Sequence, residues 1–330
     1  MSGSFNAIVA EEIDGKTRGS LKQLNLSDLP EEGVLIDISY SSLNYKDGLA
    51  VSGKGRICRK LPMVCGIDLA GTVAESSDSR FKVGDKVLVN GYELSEKYWG
   101  GYSQKQRVNP DFIVPLPEGL SLKETMAIGT AGYTAMLSIM ALKKQGVTPE
   151  QGEILVTGAG GGVGSIAIAI LSELGFDVVA STGRPELHEY LKRLGASSFI
   201  DRSELSEKGA PLAAERWAGV VDSVGSQTLA NAIAQTKRDG CVAACGLAGG
   251  IDLPATVFPF ILRGVTLCGI DSVMAPMALR LEAWKQLARD LPKERLAEIT
   301  RTEPMTSIPE LADQLIAGGI RGRVIVDVNA

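Results

Sequence analysis

Glu153-Ile-Leu-Val-Thr-Gly-Ala-Gly-Gly-Gly-Val-Gly-Ser-Ile-Ala-Ile-Ala-Ile-Leu171 decides the fold: an apolar strand enters a glycine turn that opens directly into an apolar helix. Gly158, Gly161 and Gly164 have the spacing that lets a backbone turn sharply, approach a pyrophosphate and pack helix against strand. The helix start offers unpaired N–H groups and a positive dipole end to an anion. This predicts a dinucleotide site, and it names no reaction. The turn begins at residue 158 of 330, so a domain's length of sequence precedes it.

Length and composition bound the rest. A chain of 330 residues exceeds what one core usually supports, so two domains are expected. With 45% hydrophobic and 22% charged residues it reads as an ordinary globular enzyme. A net charge of −5 argues against nucleic-acid or membrane-surface partners. The stretch Met1–Glu11 lacks the charged start and long apolar core of a signal peptide. Thr125–Leu142 is uncharged and long enough to be weighed as a membrane span, but Gly129-Thr-Ala-Gly132 interrupts it. It reads as a turn followed by a buried helix, and the expected location is cytoplasmic.

Cys58, Cys65, Cys241, Cys245 and Cys268 are odd in number and sit mostly in apolar runs, unlike a secreted disulfide framework. Cys241 and Cys245 flank an apolar strand, where even spacing puts them on one face, and no second Cys pair or His completes a metal set. No metal is expected. The single histidine, His188, falls in a helical stretch with no base partner nearby, so Ser-His-Asp chemistry has no support.

The rhythm changes along the chain. Residues 5–120 alternate as strands, as in Val34–Tyr40, punctuated by turns such as Val83-Gly-Asp85 and Asn90-Gly91. From about 126, strands and helices alternate as βαβ units require. Strands are expected at Ile154–Thr157, Val178–Thr182, Ser198–Asp201, Val220–Val224, Cys241–Cys245 and Val265–Ile270. Helices are expected at Val163–Leu174, Glu186–Leu194, Gln227–Gln235 and Met277–Leu291. Ser307-Ile-Pro-Glu310 reads as a capping box, and Arg323–Val328 as a closing strand. The expected class is α/β, with a β-barrel-like domain at 1–125 and 272–330 and a Rossmann doubly wound parallel-sheet domain at 126–271.

The strand after the glycine turn ends Val178-Val-Ala-Ser-Thr-Gly-Arg184. An NAD site commonly has a carboxylate there for the ribose 2′-hydroxyl. Here Ser181 and Thr182 offer hydroxyls and Arg184 a fork of donors suited to a phosphate, with Arg202 after the next strand able to close the pocket. The reading is NADPH over NADH. The alternative is that Arg184 merely flanks a solvated helix start.

Ser42-Leu-Asn-Tyr-Lys-Asp47, Pro62–Gly71, Trp99-Gly-Gly101, Ile128–Met136, Gly240–Gly249 and Pro259–Arg263 resemble the medium-chain dehydrogenase/reductase superfamily. More narrowly they resemble its zinc-free quinone-oxidoreductase branch and the bacterial NADPH-dependent acryloyl-CoA reductase group, over essentially the whole chain. The resemblance implies a GroES-like irregular β-barrel catalytic domain, NADPH, a homodimer and a small-molecule acyl-CoA thioester substrate. It implies that Gly161, Gly162, Val163 and Gly164 meet the pyrophosphate, and that Thr182, Gly183, Arg184 and Arg202 meet the 2′-phosphate. Leu247, Ile261 and Ser272 would line the nicotinamide half. Tyr45 would lie near the nicotinamide as a cofactor contact and the leading catalytic candidate, with the alternative of an aromatic plug. Thr130 is a second hydroxyl expected there. Asp222 reads more readily as a turn carboxylate. Zinc alcohol dehydrogenases carry Gly-His-Glu where this chain has Gly66-Ile67-Asp68, and their four-cysteine lobe is missing. Alcohol oxidation without a Lewis acid is hard, whereas an alkene conjugated to a carbonyl accepts hydride without one.

Lys54-Gly-Arg-Ile-Cys-Arg-Lys60 packs four cations into seven residues of an acidic protein. Lys54, Arg56, Arg59 and Lys60 are candidates for the coenzyme A phosphates, the alternative being a solvated basic loop. Three functions follow: a reductase of short 2-enoyl-CoA thioesters, acryloyl-CoA to propionyl-CoA above all; a general quinone or enone reductase; or a non-catalytic NADPH-binding protein.

Overall fold

The computed structural model describes residues 3–330; Met1 and Ser2, which open the stretch read for a signal peptide, lie outside them. The chain forms two compact units. The first comprises the chain up to Thr130, with Val273–Leu281 and Thr300–Ala330; the second comprises Ala131–Ser272 and Glu282–Ile299. The sequence reading gave all of 272–330 to the first domain, whereas Glu282–Ile299 belongs with the second. Burial is the reason. Trp284 stacks on Tyr133 at 6.4 Å, and the Arg295 guanidinium donates to the Ala169 carbonyl at 2.9 Å.

The second unit is built on a six-stranded sheet. Its spatial order is Ser198–Asp201, Val178–Thr182, Ile154–Val156, Trp217–Asp222, Thr236–Ala244 and Thr266–Gly269, every pair parallel. In chain order this is 3-2-1-4-5-6, the doubly wound arrangement whose ligand crevice opens at the carboxyl ends of the first and fourth strands. Ile154, Leu155, Val156, Val178 and Val179 are fully buried because helices cover both faces of a parallel sheet. The helix after the glycine turn, Gly162–Glu173, buries every residue from Gly164 to Leu171, as its all-round apolar sequence demands.

In the first unit Ser4–Ile13 pairs antiparallel with Lys16–Asn25 and Met63–Val64. A seven-stranded sheet is centred on Val34–Leu43, which pairs with Asp68–Glu75, Lys105–Val108 and the closing strand Arg323–Asp327. Ile36, Ile38, Leu69, Val73, Val87 and Val89 alternate inward, the period of a half-buried strand. This is the GroES-like unit.

The apolar run read as a turn and buried helix spans Leu122–Lys144 and is long and apolar enough to cross a membrane; 83% of its apolar window is buried in the protein. It breaks at Gly129, with φ 53° and ψ −165°. Other elements match expectation within a few residues, and Glu186–Leu194 divides into a 3₁₀ turn at Pro185–Leu187 and a helix at His188–Leu194. The capping box at Ser307 does not form. Ser307 ends a 3₁₀ turn with φ −82° and ψ −9°, so its backbone is already helical and its hydroxyl caps nothing. His188 stacks on Phe199 at 4.2 Å. Cys245 lies just past the end of Thr236–Ala244 and donates to the Asp222 carbonyl, while Cys241 faces Cys268 at 3.7 Å, so the two do not act as a pair on one strand.

A Cβ on Gly164 would lie 2.5 Å from the Gly158 carbonyl oxygen and 2.7 Å from Ala159 Cα. Gly164→Ala is therefore expected to lower the unfolding free energy by about 1–3 kcal/mol, read as a lower urea midpoint. An unchanged midpoint would show that the helix and the glycine turn are not in close contact there.

Candidate active site

The glycine turn is shaped from within the second unit. Gly158 takes φ 59°, and a Cβ there would strike Ser223 Oγ at 2.4 Å. Gly161 N–H donates to the Gly158 carbonyl at 2.9 Å, and the first helical bond runs from Ser165 N–H to the Gly161 carbonyl at 2.9 Å. The N–H groups of Gly162, Val163 and Gly164 therefore precede the helical ladder and remain directed beyond the helix end. A Cβ on Gly161 would meet only the Gly158 oxygen, at 3.3 Å. That face is open to a bulky anion, so a pyrophosphate fits the turn.

Arg184 and Arg202 occupy the space that absent side chains leave. A Cβ on Gly160 would lie 2.7 Å from Arg184 Nη2, and one on Gly183 would lie 2.5 Å from Arg202 Nε. Both guanidinium groups thus border the carboxyl end of Val178–Thr182, beside the turn. Thr182 is buried, and its hydroxyl oxygen accepts from Arg184 N–H at 3.1 Å. It shapes the loop that carries Arg184 and keeps its own hydroxyl proton available to an acceptor. Leu247 and Ser272 follow the carboxyl ends of the last two strands, on the crevice side of the sheet, and Leu247 is 56% exposed. Ile261 is exposed on the helix Phe258–Arg263, which precedes the last strand. Asp222 is fully buried and accepts from Thr157 Oγ1 at 2.7 Å and Gly225 N–H at 2.8 Å, tying the two central strands together.

In the first unit a polar cluster surrounds the Tyr45 segment. The fully buried Asp68 carboxylate accepts five hydrogen bonds: Ser42 Oγ at 2.5 Å, Asn44 Nδ2 at 2.8 Å, Asn90 Nδ2 at 2.7 Å, Thr130 N–H at 2.8 Å and Thr130 Oγ1 at 2.5 Å. The Thr130 hydroxyl commits its proton to Asp68, so toward anything else its oxygen is an acceptor. The break at Gly129 makes this possible, because a Cβ there would meet Arg323 Nη2 at 2.3 Å and Ser42 Oγ at 2.6 Å. Buried Arg323 donates to Ser42 Oγ, Asn44 Oδ1 and the carbonyls of Leu43 and Ala127.

Asp47 is the second buried carboxylate. It accepts from Asn44 N–H at 3.0 Å, Asn44 Nδ2 at 3.1 Å and Ile67 N–H at 2.9 Å. Burial, and then the nearby Asp68 charge, push its pKa up to about 7 despite those three donors. Tyr45 opens the helix Tyr45–Ser52 that Asp47 caps, and it is 42% exposed. Lys46, next to it, pairs with Glu96 at 2.6 Å.

The basic loop follows that helix. Lys54 makes an exposed ion pair with Asp313 at 3.0 Å, of the kind a phosphate displaces at little cost. Arg56, Arg59 and Lys60 are exposed, with no ion-pair partner among the described residues. Sequence reading missed Ser42, Asn90 and Arg323, and it treated Asp68 only as the residue after a missing ligand. The signal lay in Gly129, a helix breaker adjoining a hydroxyl.

Comparison with known proteins agrees with this layout. The alcohol dehydrogenase GroES-like domain model matches residues 30–118, and the zinc-binding dehydrogenase model matches residues 162–290. Acrylyl-CoA reductase AcuI of Ruegeria pomeroyi is 53% identical over 99% of this chain and 100% of its own. The putative quinone oxidoreductase YhfP of Bacillus subtilis is 46% identical over 99% of both chains, and the crystal structure of Bacillus subtilis yhfP with NAD bound has a TM-score of 0.96. The structure of Escherichia coli YhdH with bound NADPH is 50% identical, covers 98% of this chain and 100% of that one, and has a TM-score of 0.96.

Asp47 predicts a pH dependence. Its folded pKa is raised from 3.8 to about 7, so the folded state retains a proton that the unfolded chain has lost. Its contribution to stability is intact below about pH 4 and is lost as pH rises through about 7. Asp47→Asn should flatten the fall in unfolding free energy across that window, measured by urea titration at several pH values. Parallel pH profiles for the two proteins would refute the assignment.

Proposed function

Because the chain belongs to the medium-chain dehydrogenase/reductase superfamily, in its quinone-oxidoreductase-like branch, we propose that it reduces the C=C bond of short 2-enoyl-CoA thioesters with NADPH. Acryloyl-CoA to propionyl-CoA is the leading reaction, in the cytoplasm and as a homodimer. The observation that carries this reading is the end-to-end 53% identity to an acrylyl-CoA reductase. The preference for NADPH rests on Arg184 and Arg202 beside the glycine turn, where an NAD site would place a carboxylate. The unpaired outer edge of Thr266–Gly269 and the exposed Ile261 and Leu262 support the dimer.

NADPH, when bound, supplies the hydride for the β-carbon. Gly162, Val163 and Gly164 hold the pyrophosphate through backbone N–H groups, Gly161 leaves the face open for its approach, and Arg184 and Arg202 hold the 2′-phosphate. Leu247, Ile261 and Ser272 border the nicotinamide half. Thr130, with its proton on Asp68, orients a hydrogen-bond donor such as a carboxamide N–H₂ and does not itself protonate substrate. Tyr45 is then the hydroxyl left for the reacting centre, able to donate to the enolate oxygen that develops on the thioester; such a donor contributes roughly 3 kcal/mol to a transition state. Lys54, Arg56, Arg59 and Lys60 attract the coenzyme A phosphates, Lys54 from its exposed pair with Asp313.

The 46% identity to a putative quinone oxidoreductase favours a second reading, a general quinone or enone reductase with no coenzyme A handle. NADPH oxidation with acryloyl-CoA, crotonyl-CoA and a simple quinone separates the two. The thioester reading expects kcat/KM for acryloyl-CoA to dominate; comparable values on the quinone would favour the second, and silence on all acceptors a binding protein. Arg56→Glu with Arg59→Glu should raise KM for acryloyl-CoA, and an unchanged KM would remove the loop from the substrate site. Arg184→Ala should raise KM for NADPH by about 10- to 100-fold, the loss of a charged hydrogen bond, with little change for NADH. Equal losses with both cofactors would show that Arg184 serves the fold.

A further inference from the structure

Tyr98 and Trp99 stand outside the site described so far. With Phe112, Lys60, Lys97 and Asn109 they line a surface hollow of about 430 Å³ in the first unit. Its aromatic wall is held in place from behind. Phe112 stacks on Tyr92 with centroids 4.6 Å apart, the buried Arg280 guanidinium lies 4.2 Å over Tyr92, and Tyr98 meets Phe112 edge-on at 5.3 Å. Yet Tyr98 is 48% exposed and Trp99 is partly exposed. A rigid aromatic face turned to solvent is suited to a flat ring.

The charges are as specific. Lys60 has no ion-pair partner among the described residues, and Lys97 is held only by an exposed pair with Glu93 at 2.8 Å, which a phosphate can displace at little cost. Of the two carboxylates on the rim, Asp28 is committed to Asn25 N–H at 2.7 Å, and Glu31 is an exposed acceptor. The hollow therefore joins a stacking surface, two available cations and acceptors for an exocyclic amine. It also adjoins the basic loop: Lys60 belongs to both, and Arg59 N–H donates to the Glu96 carbonyl at 2.9 Å. Glu96 in turn holds Lys46, the neighbour of Tyr45, at 2.6 Å.

We infer that this hollow seats the adenosine 3′-phosphate end of the coenzyme A thioester, with adenine against Trp99 and Tyr98 and the phosphate between Lys60 and Lys97. The inference rests on the thioester reading above and adds a place for the part of the substrate farthest from the reacting carbons. Base–aromatic stacking is strong enough to anchor such a handle.

Trp99 provides a readout that needs no turnover. The other two tryptophans, Trp217 and Trp284, are buried, so a ligand in the hollow acts on Trp99. The full chain, with its own dinucleotide site saturated by NADP⁺, is titrated with adenosine 3′,5′-bisphosphate while tryptophan emission is followed. Saturable quenching is expected in the native protein. It should vanish in Trp99→Phe and require about tenfold more ligand in Lys60→Glu. No saturable quenching, or a midpoint unmoved by Lys60→Glu, overturns the site. Quenching as expected in a protein that fails to reduce acryloyl-CoA would uphold the hollow as an adenosine phosphate site and discard the thioester reading instead.

Discussion

The Asp68 carboxylate is the constraint on which the catalytic unit depends. Its five donors come from the strand end at Ser42, the helix cap at Asn44, the strand end at Asn90 and the break at Thr130. Three separate stretches of backbone, at 42–44, 90 and 130, are thereby fixed on one buried group. The donors of this network all find acceptors, and a buried donor left without one costs about 1–3 kcal/mol; Asn90 Oδ1 is its one buried acceptor without a partner among the described residues. Arg323 completes the network from the last strand of the chain, through Ser42 Oγ, Asn44 Oδ1 and two carbonyls. The left-handed break at Gly129 is the local condition for the whole arrangement. Any side chain there would displace Arg323 or Ser42.

The charge balance of the cluster bears on function. Two carboxylates, Asp47 and Asp68, and one guanidinium are buried within the same shell. Arg323 reaches neither carboxylate directly and binds the hydroxyl, amide and carbonyl groups between them. Burial, and then the charge of Asp68, make Asp47 the group whose proton is retained to about pH 7. It also caps the helix that begins at Tyr45. The protonation of the cluster and the placement of the leading catalytic candidate are thus coupled through one side chain. The Thr130 hydroxyl is fixed in the opposite sense, with its proton given to Asp68.

Much of this was legible in the sequence, unevenly. The glycine spacing at 158, 161 and 164 and the uninterrupted apolar strands determined the parallel sheet, because local backbone chemistry and period dominate there. Arg184 and Arg202 were legible for the same reason, since they follow strand ends that the pattern places on one side of the sheet. The Asp68 network was not, because its members are separated by as many as 281 positions, the distance between Ser42 and Arg323. No periodicity reports such a meeting. The exposed pair of Lys54 with Asp313 was illegible for a related reason, since the two lie far apart in the sequence. Ser307 misled because a 3₁₀ turn ahead of the helix had already made its backbone helical.

The proposed reaction is hydride addition from NADPH to the β-carbon of an acryloyl thioester. Incubation of the protein with acryloyl-CoA and NADPH carrying deuterium at the transferable nicotinamide position, followed by mass spectrometry and NMR of the acyl product, tests it. The expected product is propionyl-CoA with one deuterium on the methyl carbon and none on the carbon next to the thioester. Deuterium at that second carbon, or acryloyl-CoA recovered intact while NADPH is consumed by a quinone, would contradict it.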